Sequence, residues 1–245
     1  MLPTIRPFSE DIDLSYTAES GVPGDARKKQ LKKAVVSTLE SLELTINNLE
    51  DTRSRRNYNC YRASYPSIYD NSPFLKQELV LETYVALLPF PTVTRMVDNY
   101  LYRFLKKIDR LDIAEQYDLM PFPITTQAIE RTLVDKVFAI CDYYLDGKTE
   151  KHSRHLYDIH KIYTNMEIPN DFKDLIANVR SLRSELAVCP SAKDGVDINK
   201  VLQEIVDTEA YKNDYEEITS GLLFTPLEYD EVITSIKAII QLNLF

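Results

Sequence analysis

Apolar and polar positions alternate over the first residues of the chain and recur at helical spacing over most of its second half. Phe8-Ser9-Glu10-Asp11-Ile12-Asp13-Leu14 has the period of a strand, with Asp11 and Asp13 on one side. Ala18-Glu19-Ser20-Gly21-Val22-Pro23-Gly24 is rich in residues that break both helix and strand and predicts a loop. Leu31, Val35, Leu39, Leu42, Ile46 and Leu49 follow at spacings of 4, 4, 3, 4 and 3, which predicts one amphipathic helix from about Asp25 to Glu50. Tyr58 to Tyr65 and Gln77 to Leu88, rich in Tyr, Val and Leu, predict two strands. The polar loop around Asp70-Asn71-Ser72-Pro73 would join them as an antiparallel pair. Beyond Pro89-Phe90-Pro91 the periodicity predicts helices as far as the C-terminus, so a domain boundary is expected near residue 90. Within this half, Ile124-Thr125-Thr126-Gln127-Ala128-Ile129-Glu130 has the form of a helix start with Thr at the cap. Ile129, Leu133, Val137, Ile140 and Tyr144 form the apolar stripe of the helix that follows. Val232, Ile233, Ile236, Ile239 and Ile240 are core positions of a last helix within Pro226 to Phe245. The fold class expected is α+β, a mixed sheet followed by a helical C-terminal domain.

Composition narrows this picture only slightly. With 245 residues, 44% of them apolar and five glycines, the chain can build a globular, helix-rich core. Cys60, Cys141 and Cys189 are odd in number and far apart, which fits a reducing compartment, and a cytoplasmic location is expected. No apolar run follows Met1 and no stretch of about 18 uncharged apolar residues occurs, so a secreted or membrane-spanning protein is not expected. A net charge of −9 gives no global attraction to nucleic acid. An RNA partner would have to be held by a local basic patch, and the basic concentrations are Lys28 to Lys33, Arg53-Ser54-Arg55-Arg56 and Lys148 to Arg154.

Candidate chemistry begins with Asp11 and Asp13. On one side of a strand their Cα atoms stand about 6.6 Å apart, and their oxygens can share a divalent cation such as Mg²⁺. A solvated edge strand carries the same pattern equally well. Glu82, between apolar neighbours in Glu78-Leu79-Val80-Leu81-Glu82-Thr83-Tyr84-Val85, needs a partner if its strand is interior and none if its face is wet. Lys136 flanks an apolar helical stripe, where its stem can pack while its ammonium meets a phosphate or simply solvent. In Lys151-His152-Ser153-Arg154-His155-Leu156-Tyr157-Asp158-Ile159-His160, Arg154 and Asp158 are four apart and can form an intrahelical ion pair. His152, His155 and His160 with Cys141 do not make a zinc pattern, because spacings of 3 and 5 separate the histidines around a helix and no Cys-x-x-Cys accompanies them.

The order Arg6-Pro7-Phe8-Ser9-Glu10-Asp11-Ile12-Asp13-Leu14, then Leu81-Glu82, then Glu130-Arg131-Thr132-Leu133-Val134-Asp135-Lys136, then Arg154-His155-Leu156-Tyr157-Asp158-Ile159 resembles the AbiEii/AbiGii nucleotidyltransferase toxin family over about residues 4 to 163. The resemblance implies a minimal nucleotidyltransferase-like core over 1–90, N-terminally short, and a mostly helical domain over 91–245 carrying Lys136 and Asp158. It implies a toxin of a type IV toxin–antitoxin or phage-defence system, with a cognate antitoxin protein as partner. The activity it implies is Mg²⁺-dependent transfer of a nucleoside monophosphate from a nucleoside triphosphate to an acceptor, tRNA in some members. Carried over by position, Asp11 and Asp13 are the metal carboxylates, Ser9 is the serine just upstream, and Glu82 is the third acid. Lys136 is the lysine on the nucleotide phosphates, and Asp158 is the carboxylate of the last motif with Arg154 beside it. The family's Gly-Gly-Ser/Thr turn, whose amides hold the triphosphate at a helix N-terminus, has no counterpart before Gly21. Met1 is therefore expected to begin after that turn, and the alternative function is a truncated, non-catalytic remnant acting as a protein-binding module.

Overall fold

A computed structural model describes residues 11–16, 24–66, 78–85, 90–223 and 225–245. It divides into two compact units, one made of Met1–Leu88 with Leu133–Phe245 and the other of Pro89–Thr132.

The first unit contains a four-stranded mixed sheet in the order β1-β4-β3-β2, formed by β1 (Asp11–Ser15), β2 (Thr45–Ile46), β3 (Tyr58–Ser64) and β4 (Glu78–Tyr84). β4 is central, parallel to β1 and antiparallel to β3. Helix α1 (Asp25–Ser41) packs Val35 and Leu39 on Tyr61 and Ala63, with Leu79 and Leu81 beside them, so one face of the sheet is a core.

Helix α1 ends nine residues earlier than its apolar spacing predicts. Leu42 is 62% exposed, Glu43 takes a left-handed φ of 58°, and the Leu44 amide donates to the Leu39 carbonyl while the Glu43 amide donates to Glu40. This is a Schellman stop. Leu44 and Ile46 then reach the same core from a turn and from β2. The stripe predicted a longer helix because an apolar run that swaps helix for strand can keep presenting residues to one core.

The remainder of the first unit is helical: α4 (Ile129–Leu145) from Leu133 on, α5 (Arg154–Tyr163), α6 (Phe172–Ser184), α7 (Ile198–Asp207), the single turn α8 (Lys212–Asp214), which runs into a π-helical turn at Tyr215–Thr219, and α9 (Tyr229–Leu242). Their buried stripes make a second core, including Leu133, Val137 and Ile140 of α4, Leu156 and Ile159 of α5, and Val232, Ile236 and Ile239 of α9. α5 begins where Asp214 accepts hydrogen bonds from the Lys151 and Ser153 amides. A carboxylate at a helix N-terminus satisfies amides that have no partner within the helix.

The second unit corrects the expectation of helix throughout this half. β5 (Thr92–Val97) and β6 (Phe122–Gln127) form an antiparallel ribbon, accompanied by α2 (Tyr100–Lys107) and α3 (Leu111–Gln116). Ile124 to Gln127, read as a helix start, is strand. Thr126 donates its hydroxyl to the Val93 carbonyl across the ribbon instead of capping α4. Consecutive β-branched residues favour the pleated backbone. Asn99 is the cap used here, accepting from the Tyr102 amide at 2.8 Å at the start of α2. No helix among the described residues is long and apolar enough to cross a membrane.

Candidate active site

The site is built on the sheet face opposite α1. Register pairs Asp13 with Glu82 and Glu82 with Cys60, and next to them Tyr84 with Tyr58. Partners across strands share a face, and so do residues two apart. Asp11, Asp13, Glu82, Tyr58 and Tyr84 therefore project together. Glu82 lies on the central strand of the described sheet, where its two oxygens accept from the Tyr58 hydroxyl at 2.8 Å and the Tyr84 hydroxyl at 2.7 Å, the two rings lying 4.9 Å apart. Burial and the bonds to Glu82 push both phenols well above their ordinary pKa, so they remain donors across the physiological range.

Asp13 carries the strain of this acidic row. Partial burial raises its pKa first, followed by the Glu82 and Asp11 charges and a hydrogen bond to Glu82, while Lys136 pulls the other way. Lys136, on α4, is thus near enough for its charge to act on Asp13. Its Nζ lies 2.7 Å from Asp158 Oδ2 and 3.2 Å from His155 Nδ1, both on α5. Asp158 is bound to Lys136, not to Arg154 four residues back, so the simple intrahelical pair is replaced by a tie between two helices. Arg154 is the first residue of α5, and its charge is felt by His152 and His155. Ser9 lies outside the described residues.

Each of the three histidines has its own surroundings. His160 Nδ1 pairs with the Ser235 hydroxyl at 3.0 Å. His152 stacks on Tyr143 at 3.5 Å between ring centroids, and Tyr143 lies parallel to His155 at 5.8 Å. Tyr58, Tyr84 and His155 were not among the residues expected to act. The tyrosines reach Glu82 only through strand register, and nothing in the spacing of His155 points to Lys136 on another helix.

Among the described residues no group of three or more His, Cys, Asp and Glu side chains is spaced to hold a metal ion by itself. The chemistry of the acidic row nevertheless fits a hard divalent cation that takes its remaining oxygens from phosphates and water. Asp11 and Asp13 stand on one face beside Glu82, and burial followed by the charges of Glu82 and Asp11 raises the Asp13 carboxyl. The Lys136 ammonium, whose charge acts on Asp13, is held by the Asp158 carboxylate.

No curated protein and no solved structure matches this chain. A model of the family described as nucleotidyl transferase AbiEii toxin, type IV toxin–antitoxin system, matches residues 5–235. That span contains both sides of the site and nearly the whole chain, so this protein belongs to the AbiEii family of nucleotidyl transferase toxins.

Proposed function

We propose that this chain is a Mg²⁺-dependent nucleotidyltransferase that moves a nucleoside monophosphate from a nucleoside triphosphate to an RNA acceptor, tRNA in particular. What carries the reading is an Asp13–Glu82 pair in register and a Lys136–Asp158 pair whose ammonium acts on Asp13, in a single unit of an AbiEii-family chain. Asp11 and Asp13 would hold the cation, with Glu82 kept beside them by its two tyrosine donors. The bound ion supplies charge neutralisation on the phosphates and a lowered pKa for the attacking hydroxyl. Lys136 offsets the negative charge that gathers on the phosphates as the acceptor oxygen bonds to the α-phosphorus and pyrophosphate leaves. Asp158 keeps that ammonium in place, and Arg154 at the start of α5 adds a second cation for the nucleotide.

The first test supplies each α-labelled nucleoside triphosphate with Mg²⁺ and total tRNA. Label on the RNA, lost on chelation and absent with Lys136→Met, is the expected result. No transfer by a folded chain would favour the protein-binding module instead, with the antitoxin that the family implies as its first candidate partner.

The acceptor reading rests on two basic stretches that the fold joins. Lys28 Nζ donates to Asn57 at 2.6 Å, Lys32 Nζ to the Thr52 carbonyl at 3.0 Å, and Arg55 approaches Asp25 at 3.4 Å. The first half of α1, with Arg27, Lys28, Lys29, Lys32 and Lys33, therefore lies against the 52–57 turn with Arg53, Arg55 and Arg56. Such a patch on a chain of net charge −9 is a local footing for a phosphate backbone. Lys29 and Lys33 are exposed, so reversing both to Glu leaves the core intact. The double variant is expected to weaken the acceptor about tenfold at low salt and flatten its salt dependence. The KM for the nucleotide should not change. An unchanged acceptor KM would move the RNA elsewhere on the protein.

A further inference from the structure

Lys136 is gripped twice by α5. His155 and Asp158, three residues apart on the same side of that helix, place Nδ1 at 3.2 Å and Oδ2 at 2.7 Å from its Nζ. An ammonium has three N–H donors and no acceptor. Two are taken by α5, which leaves one for a substrate phosphate. We propose that His155 is a positioning residue for nucleotidyl transfer, a neutral acceptor that fixes the direction of the Lys136 ammonium; the proposal rests on the transferase reading above.

Charge explains why a histidine suits this place. Lys136 and Asp158 cancel, so a second carboxylate would leave the pair net negative where a triphosphate must land. A neutral imidazole supplies the second directional acceptor without that charge. Accepting at Nδ1 requires the proton to be on Nε2. The ring's orientation is set by its parallel packing with Tyr143, which is itself stacked on His152. Burial and the charges of Lys136, Arg154 and His152 oppose its protonation, which keeps the acceptor available.

Three replacements separate this role from simple packing. Asn can present an oxygen near the Nδ1 position, Leu fills the space against Tyr143 with no acceptor, and Asp accepts but adds charge. The expected order is Asn close to wild type, with Leu lower in kcat by roughly tenfold to a hundredfold. Asp should raise the KM for the triphosphate. Histidine 15N NMR on the intact chain gives a readout independent of turnover. The Nδ1 resonance of His155 is expected at the unprotonated, hydrogen-bonded position and should shift in Lys136→Met. Equal losses in the Asn and Leu variants, or an Nδ1 resonance that ignores Lys136→Met, would overturn the proposal. Were wild type itself to show no transfer, the transferase reading would fail, and titration of the same variants with magnesium tripolyphosphate would decide: Asn binding like wild type and Leu more weakly upholds the positioning role, and equal affinities remove it.

Discussion

Asp13→Asn is expected to lower nucleotidyl transfer by at least roughly 10³-fold, equivalent to about 4 kcal/mol of barrier, while making the metal-free protein slightly more stable. Both effects have one cause. Asp13 stands in register with Glu82, two residues from Asp11, and its carboxyl is held above its ordinary pKa by burial and by those two charges. A carboxyl raised on folding binds protons more tightly in the native state than in the unfolded chain. The native state is therefore not penalised at low pH, and stability is lost as pH rises from the ordinary carboxylate value through the raised one. At neutral pH the penalty is complete. Asn removes the charge and can still donate to Glu82, so the melting temperature should rise. Solvent reaches Asp13, so the gain is discounted to a few tenths of a kcal/mol, about 1 °C for a chain of this length. Calorimetry of wild type and variant without metal, at pH 7 and near pH 3, checks the sign: the variant's advantage should be present at the first and vanish at the second. Mg²⁺ should stabilise wild type and not the variant. A less stable variant, or one that still transfers, would remove Asp13 from the role given it.

Where one element dictated both pattern and burial, the sequence was legible. β3 and β4 lie where their Tyr, Val and Leu content predicts, paired antiparallel, and the Asp11–Asp13 strand is present. Of the five α9 positions its periodicity marks, Val232, Ile233, Ile236 and Ile239 are interior while Ile240 is half-buried, and Tyr229 and Ser235 are buried as well. Errors came where two conformations serve the same face. Leu42 to Leu49 kept a helical spacing through a Schellman turn and a two-residue strand, and Thr125-Thr126 looked like caps but belong to a ribbon. The site was legible in its residue types and not in its pairings. Alternation alone put Asp11 and Asp13 together, yet nothing local to the chain shows that Glu82 would lie across from Asp13 with two tyrosines on its oxygens. Likewise Asp158 had a nearer cation in sequence, Arg154, and took Lys136 from another helix. Side chains that leave their own element are chosen by packing, which no local spacing encodes.

The largest stability effect is expected away from this chemistry, at Asp142. It lies six residues beyond Lys136 on α4, about 240° around the axis, and is 5% exposed. Its Oδ1 accepts from the Ser191 amide at 2.8 Å and hydroxyl at 2.6 Å, and its Oδ2 from Arg183 at 2.8 Å. Arg183, on α6, also reaches Asp135 at 3.3 Å and lies over the Phe138 ring. One carboxylate thus ties α4 to α6 and to the turn that carries Ser191. Removing it leaves a largely buried guanidinium with only the longer contact to Asp135 and strands a buried amide, whereas the pair itself adds little beyond what good apolar packing would give. Asp142→Ala is accordingly expected to cost about 3–5 kcal/mol, a fall in melting temperature on the order of 10 °C. Asp142→Asn keeps an acceptor and should lose less. Replacing Asp142 and Arg183 together by Leu and Met should recover much of the loss, because no charge is then left alone. Chemical denaturation of the three variants measures this. The cycle would fail if the double variant lost the sum of the single effects, for then packing, not the stranded charge, would set the cost. Turnover per folded molecule should remain near wild type throughout, since Lys136, Asp158 and the acidic row touch none of these groups.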